Sequence, residues 1–201
     1  MTASFRLRDV AEIRAGYLTK KPVIPRPDGT HRLLQIRDFN GDRSAVDTNA
    51  MVRFIPDSPA SVRPLQTGDV VFLARGSRNF AFAPVDLPVP SVAAGYFFVI
   101  HPGEQALPGY LAWCLNQPDM LRALARSATS GAHMPVVRRS DIENVQVPVP
   151  PIHVQQAIVH LDGLLHEEQS LLNDLARKRR ELISTVCMAA ANPVKPMGER
   201  V

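Results

Sequence analysis

Three polar loops hold the side chains best suited to chemistry. Lys20, Lys21 and Arg26 lie in a stretch rich in lysine, proline and glycine, from Thr19 to Thr30. Arg75, Ser77, Arg78 and Asn79 follow an apolar run directly. Ser130, Gly131 and His133 make a third polar loop. Arginine, serine and asparagine at a loop tip can donate to phosphates. They can also read base edges, arginine bidentately on guanine and asparagine on adenine. The same residue types are equally ordinary in solvated turns, so each loop has two readings at this level. Arg138 and Arg139 likewise have a local use, as partners of Asp141 and Glu143.

Patterns for catalysis do not appear. No G-x-G-x-x-G or G-x-x-x-x-G-K-[ST] opens a helix, and no serine sits in G-x-S-x-G. Ser130 has no marked base. His153, His160 and His166 are seven and six residues apart on a predicted helix, too far for shared ligation of a metal. Asp38 and Asp42 flank the turn Asn40-Gly41-Asp42 and suit turn chemistry. The expectation is a chain with no catalytic residues, no metal and no cofactor.

The balance of charge agrees with a binding role. The 201 residues carry a net +4, with 45% hydrophobic and 21% charged residues, which is ordinary for a soluble globular protein. Residues 1–140 hold 17 Lys and Arg against 11 Asp and Glu, and residues 141–201 hold 6 against 8. A basic globular part favours a polyanionic partner such as nucleic acid. Cys114 and Cys187 stand far apart amid apolar residues, with no C-x-x-C, and read as reduced thiols. No apolar signal region opens the chain and no run of 18 apolar residues occurs, so a cytoplasmic protein without a membrane span is expected.

Elements that must position these loops follow from patterning. A strand ending near Leu7 is predicted to lead into a short helix capped by Asp9, boxed by Glu12 and stopped at Gly16. Strands are predicted over R-L-L-Q-I-R-D-F (32–39), Met51 to Ile55, the Val-Val-Phe-Leu run after Gly68-Asp69, and Val92 to Ile100. Helices follow over Pro108 to Asn116 and Pro118 to Ala128, then a turn at Asp141 and a last strand from Val145 to Val149. Strands early and helices late make this an α+β domain, with a mixed or antiparallel sheet, over residues 1–150.

Beyond the prolines of V-P-V-P-P, Pro151 suits the first turn of a helix running to about residue 190. At 1.5 Å per residue it would span about 55–60 Å, more than a small domain needs. Ile158, Leu161, Leu165, Leu172, Leu175, Leu182 and Val186 recur along it by threes, fours and sevens. Glu168 and Arg179 interrupt that stripe, and polar residues in a seam can set register and partner orientation. In an antiparallel pair of identical helices, Glu168 would approach Arg179 of the other copy about a midpoint between Asn173 and Asp174. The stripe has two readings, folded onto its own domain or paired with another helix. The tail, residues 191–201, is expected to be loosely ordered.

Three segments together carry a likeness to a known family. L-R-D-V-A-E-I-R-A-G-Y, L-Q-T-G-D-V-V-F, and the stretch from S-G-A-H-M-P-V-V-R-R-S-D-I-E-N to V-P-V-P-P-I-H-V-Q-Q-A-I-V resemble the DNA specificity (S) subunit of type I restriction-modification systems. One departure is visible. The family usually has an acidic residue before glutamine after the double proline, and this chain has Val154 before Gln155.

The resemblance implies a half-length S subunit, with one target recognition domain and one long spacer helix able to pair antiparallel with a second copy. It implies double-stranded DNA, a methyltransferase (modification) subunit and through it a restriction subunit as partners, with base flipping and methyl transfer left to the partner. It also turns the reading of the three loops towards DNA contact. A second reading keeps the assembly role alone: a protein-interaction module that titrates partner subunits without reading DNA. A standalone enzyme is the third, and activity of the isolated chain would be its mark.

Overall fold

Alternation with a period of two, and not helical spacing, governs the start of the chain. A computed structural model describes residues 3–19, 21–58, 62–76, 78–127 and 135–191. In it, β1 (Ser4–Arg6) passes through a single helical turn, α1 (Leu7–Val10), into β2 (Ala11–Ala15). The helix expected from Asp9 to Gly16 is therefore mostly strand. Ala11 and Ile13 are buried while Glu12 faces solvent, and that alternation suits a strand. Asp9 lies inside α1, where Arg6 holds the N-cap position, so the expected cap does not form.

The remaining elements keep the expected order, with β6 added and a short helix, α4, in place of the turn expected at Asp141. They are β3 (His31–Leu34), β4 (Val52–Phe54), β5 (Val70–Leu73), β6 (Ala81–Phe82), β7 (Ser91–Ala93), β8 (Phe97–Pro102), α2 (Pro108–Leu115), α3 (Pro118–Ser127), α4 (Arg139–Asn144), β9 (Gln146–Pro148) and α5 (Ile152–Ala191). Two expected strands are cut short. After Leu34 the chain turns through a 3-10 segment, Ile36–Asp38, where the Asp38 carboxylate accepts the Gln35 backbone N–H at 2.7 Å. The 92–100 run breaks at Gly95, giving β7 and β8.

Three sheets result. β1 and β9 pair antiparallel, β2-β8-β5-β6 form an antiparallel four-stranded sheet, and β4-β3-β7 form a mixed sheet in which β3 and β7 are parallel. The four-stranded sheet is covered on both faces, which explains the unbroken apolar run of β5. Val70 and Phe72 enter a core with Leu7, Ile100, Tyr110, Leu111, Leu115 and Ile142. Val71 and Leu73 enter a second core with Leu33, Leu34, Phe54, Phe80, Val92 and Phe97. A strand apolar on one face only could not serve both.

Among the described residues the fully buried polar side chains are Asp38, Asp69, Ser91 and Gln155, and two of them, Asp69 and Gln155, tie separate elements together. Asp69, in the turn where Gly68 takes φ +90°, accepts the Gln66 N–H at 2.9 Å, Arg14 Nη2 at 3.2 Å and His101 Nδ1 at 2.8 Å. It thereby ties the turn before β5 to β2 and β8. Gln155 is 0% exposed, although its neighbours on α5 face solvent. Its Oε1 accepts Leu107 N–H, and its Nε2 donates to the Gln105 and Pro150 carbonyls, all at 2.8 Å.

The chain divides into two units, residues 1–160 and 161–201. The division falls ten residues beyond the boundary expected at the prolines, because the first turns of α5 pack on the globular unit through Gln155, Ile158 and Val159.

Gln155→Ala removes the partner of three backbone groups and opens a cavity, so denaturant melts should show a loss of about 2–4 kcal/mol at constant slope. A loss under about 0.5 kcal/mol would leave Gln155 without the anchoring role. A second outcome concerns alkaline pH. Burial pushes the Cys114 thiol up to about 11 and the Tyr110 phenol up to about 12. Below the unfolded thiol value both states keep the proton and stability is intact. Above it only the unfolded chain ionises, so stability falls as pH rises from about 9 towards about 11, by on the order of 2–3 kcal/mol for the thiol. In urea melts between those pH values, Cys114→Ala should flatten the slope.

Candidate nucleic-acid interface

The two basic loops within the described residues meet at one cleft, which neither loop's sequence indicated. Tyr17, Leu18, Thr19 and Val23 line one side, and Arg75, Gly95 and Tyr96 line it with Gln35. The β5–β6 loop is held from behind by the chain that follows the third predicted loop. Arg75 bridges to Val136, and Gly76 N–H donates to the Pro135 carbonyl at 3.0 Å. Lys20, Ser77, Ser130 and His133, all expected to contact DNA, lie outside the described residues.

The other expected contacts divide by what already occupies them. Arg75 and Arg78 are exposed. Asn79 is half-buried and donates its amide to the Leu73 carbonyl at 2.8 Å, so it closes the loop and that donor is committed. Arg26 gives Nε and Nη2 to the two oxygens of Asp28 at 3.0 and 2.8 Å. That pairing holds the Asp28 carboxyl below the usual range and cancels the Arg26 charge locally. Lys21 is exposed, in a turn where its backbone N–H and C=O both bond the Thr19 hydroxyl.

A cation that sequence reading missed stands beside Arg78. Arg43 donates to the Arg78 carbonyl and lies 4.5 Å over the Phe80 ring. Burial, with the Arg78 charge added to it, pushes the Arg43 guanidinium down. Two neighbouring cations in a partly dry place favour an arriving anion. Arg43 sits in what reads as a plain Asn-Gly-Asp turn, and its partners come from 35 and 37 residues away, so no local pattern marks it. As expected of turn chemistry, Asp42 accepts the Ser44 N–H and hydroxyl at 3.0 and 2.6 Å. Arg139 pairs with Glu143 at 2.6 Å.

The second candidate surface is α5. Its stripe past residue 160 is open to solvent, from 48% at Leu164 to 65% at Leu161, and includes Leu165, Leu172, Leu175, Leu182 and Val186. Leu164, Leu171, Leu172 and Leu175 line a depression with Glu168. Arg177 bonds Asp174 and Glu181 at 3.0 and 3.2 Å, away from the Glu168 and Arg179 positions in the heptad. Ile158 departs from expectation. It is half-buried against the first core, because the first turns of α5 lie on that core.

His101 and Asp69 resemble the base and orienter of a catalytic triad. Among the described residues their cleft is lined by Glu12, Arg14, Val62, Arg63, Pro64 and Gln66, none of which is a nucleophilic hydroxyl or thiol. Among the described residues, no cluster of His, Cys, Asp or Glu is placed to hold a metal, and no helix is long and apolar enough to cross a membrane.

No protein-family model and no curated protein sequence matches this chain. Solved structures do. The HsdS subunit from Thermoanaerobacter tengcongensis aligns at TM-score 0.64 and 22% identity, over 98% of this chain and 51% of that one. This chain has the fold of a type I restriction-modification S subunit. A structure from work on complex assembly and conformational transition of the type I R-M system aligns at 0.62 and 20%, over 91% of this chain and 43% of that one. The S subunit from M. genitalium aligns at 0.54 and 13%, over 94% and 45%. The chain thus spans about half the length of the S subunits it matches. At 13–22% identity the S-subunit likeness is one of fold, and the roles of Arg43, Arg75 and Arg78 rest on their own chemistry.

Proposed function

We propose that this chain is a non-catalytic DNA-specificity component of a type I-like restriction-modification assembly. The observation that carries the reading is the likeness to S subunits over both the α+β unit and the long helix, 98% of the chain in one case. The globular unit docks on duplex DNA through the cationic rim of Arg43, Arg75 and Arg78, with Lys21 alongside, and reads one half of a bipartite target. It recruits a methyltransferase subunit, which supplies the chemistry.

The α5 stripe pairs antiparallel with a second copy of α5. Placing the two-fold between Asn173 and Asp174 sets Leu165 opposite Leu182, Leu161 opposite Val186 and Leu172 opposite Leu175. The same register sets Glu168 opposite Arg179 and Glu167 opposite Arg180. A parallel pair would oppose like charges at these positions. The rival reading, a partner-titrating module that does not read DNA, draws on the internal engagement of Arg26 and Asn79.

Anisotropy titrations separate the two. Duplex affinity should fall steeply between 50 and 200 mM salt, its logarithm declining linearly with the logarithm of salt concentration at a slope set by the number of phosphates neutralised. Arg75→Ala with Arg78→Ala should lower that slope by about one for each phosphate no longer neutralised. Absence of salt-sensitive affinity for any duplex, with or without a methyltransferase, would leave the titrating module. For the helix, Arg179→Glu should shift sedimentation towards monomer, and Glu168→Arg added to it should restore the dimer. An unchanged profile in Arg179→Glu would remove the proposed pairing.

A further inference from the structure

The cleft between the two basic loops is more than a gap between them. Its volume of about 330 Å³ falls within the ~300–1,000 Å³ of small-ligand sites. Its walls are built to stay in place. A Cβ at Gly95 would lie 2.5 Å from Leu18 Cδ2 and 2.9 Å from the Tyr17 carbonyl, so glycine lets the 94–96 turn close against the segment after β2. The Tyr17 ring leans on Phe54 at 5.3 Å, and the Tyr96 ring leans on Phe97 at 5.0 Å. The Tyr96 hydroxyl accepts the Ile36 N–H at 3.1 Å. Leu18 is 70% exposed at the edge.

Within this cleft of mixed lining sits one amide with an unmet need. Gln35 Oε1 is buried and has no hydrogen-bond partner among the described residues. Buried acceptors are nearly always paired, so an unpaired one in a cleft asks what completes it. The Gln35 backbone N–H donates to Asp38 at 2.7 Å, which fixes the point from which the side chain enters the cleft. Arg75, exposed, contributes the only charged side chain of the described lining, and no carboxylate accompanies it.

We propose that this cleft binds a purine nucleotide, with the ring between the Tyr17 and Tyr96 walls, Gln35 on the N6/N7 edge of adenine and Arg75 on the phosphate. An amide offers adenine a matched donor and acceptor, and aromatic walls accept a planar ring. A stacked base pair presents a flat edge and cannot enter a concave site, so the base arrives unstacked. It comes either from a distorted DNA strand or as a free mononucleotide. The first source rests on the DNA-recognition reading and the second does not.

Both sources can be tried on the full chain, following amide resonances of the cleft by NMR. Titration with 5′-AMP, 5′-UMP, oligodeoxyadenylate and oligodeoxythymidylate should shift Gln35, Gly95 and Tyr96, with adenine binding about tenfold tighter than pyrimidine. Gln35→Leu and the isosteric Gln35→Glu should each abolish that preference. Arg75→Ala should weaken 5′-AMP but leave adenosine unchanged. Binding of 5′-AMP without oligonucleotide binding, or the reverse, supports the cleft and assigns its source. No shift with any adenine ligand, or an undiminished preference in both Gln35 variants of native melting behaviour, overturns it. Salt-sensitive duplex affinity, measured in parallel, fails or holds independently and reports on the recognition reading alone.

Discussion

Burying a side-chain amide at the start of a helix is costly unless its polar atoms are met, and at Gln155 that constraint organises the junction of α2 and α5. Its acceptor takes the N–H of Leu107, and its donors take carbonyls from residues 105 and 150. Leu107 precedes α2 as its N-cap residue, so one amide joins the entry of α2, the end of the proline run and the first turn of α5. Displacing the helix by one residue would break all three of these bonds at once. The glutamine that stands out in the terminal motif is thus a fastener between backbone segments. Val154, the residue before it, faces solvent.

The same logic holds at Asp69. A buried carboxylate held by Arg14, His101 and the Gln66 N–H converts a turn motif into a link between β2, β5 and β8. Removing one partner of such a group costs more than the pair contributes, because it leaves a charge without water or counter-charge. The histidine-aspartate contact that looks catalytic in isolation is accounted for by this role. Asp69 and Gln155 thus bind the turn before β5 and the start of α5 into the globular unit.

Those loops separate into charges cancelled at home and charges left open. Arg26 is neutralised by Asp28, and Asn79 is turned inward to Leu73. Arg75 and Arg78 face solvent, with Arg43 pressed against Phe80 beside them. Under the proposed function the open set would meet phosphate, while the cancelled set keeps the loops in shape. Along α5 the division is similar. The Asp174-Arg177-Glu181 ladder is satisfied within the helix, whereas the leucine stripe and its two charges are not.

Features that depend on neighbours along the chain are legible in the residues alone. The proline run and the three-four spacing after it specify α5, and the unbroken Val-Val-Phe-Leu specifies a strand buried on both faces. The α+β order and the basic bias of the first 140 residues are equally local facts. Where two local patterns competed, the partner strand made the choice. Ala11-Glu-Ile-Arg-Ala has both a cap-like aspartate before it and a period of two, and pairing with β8 selects the strand. Which loop residues stand together emerges only on folding. Arg43 reaches Phe80, Gln35 shares a cleft with Arg75, and Ile158 turns to the core. Each of these contacts joins segments tens of residues apart, and no local spacing records a distance that exists only after the chain has closed on itself.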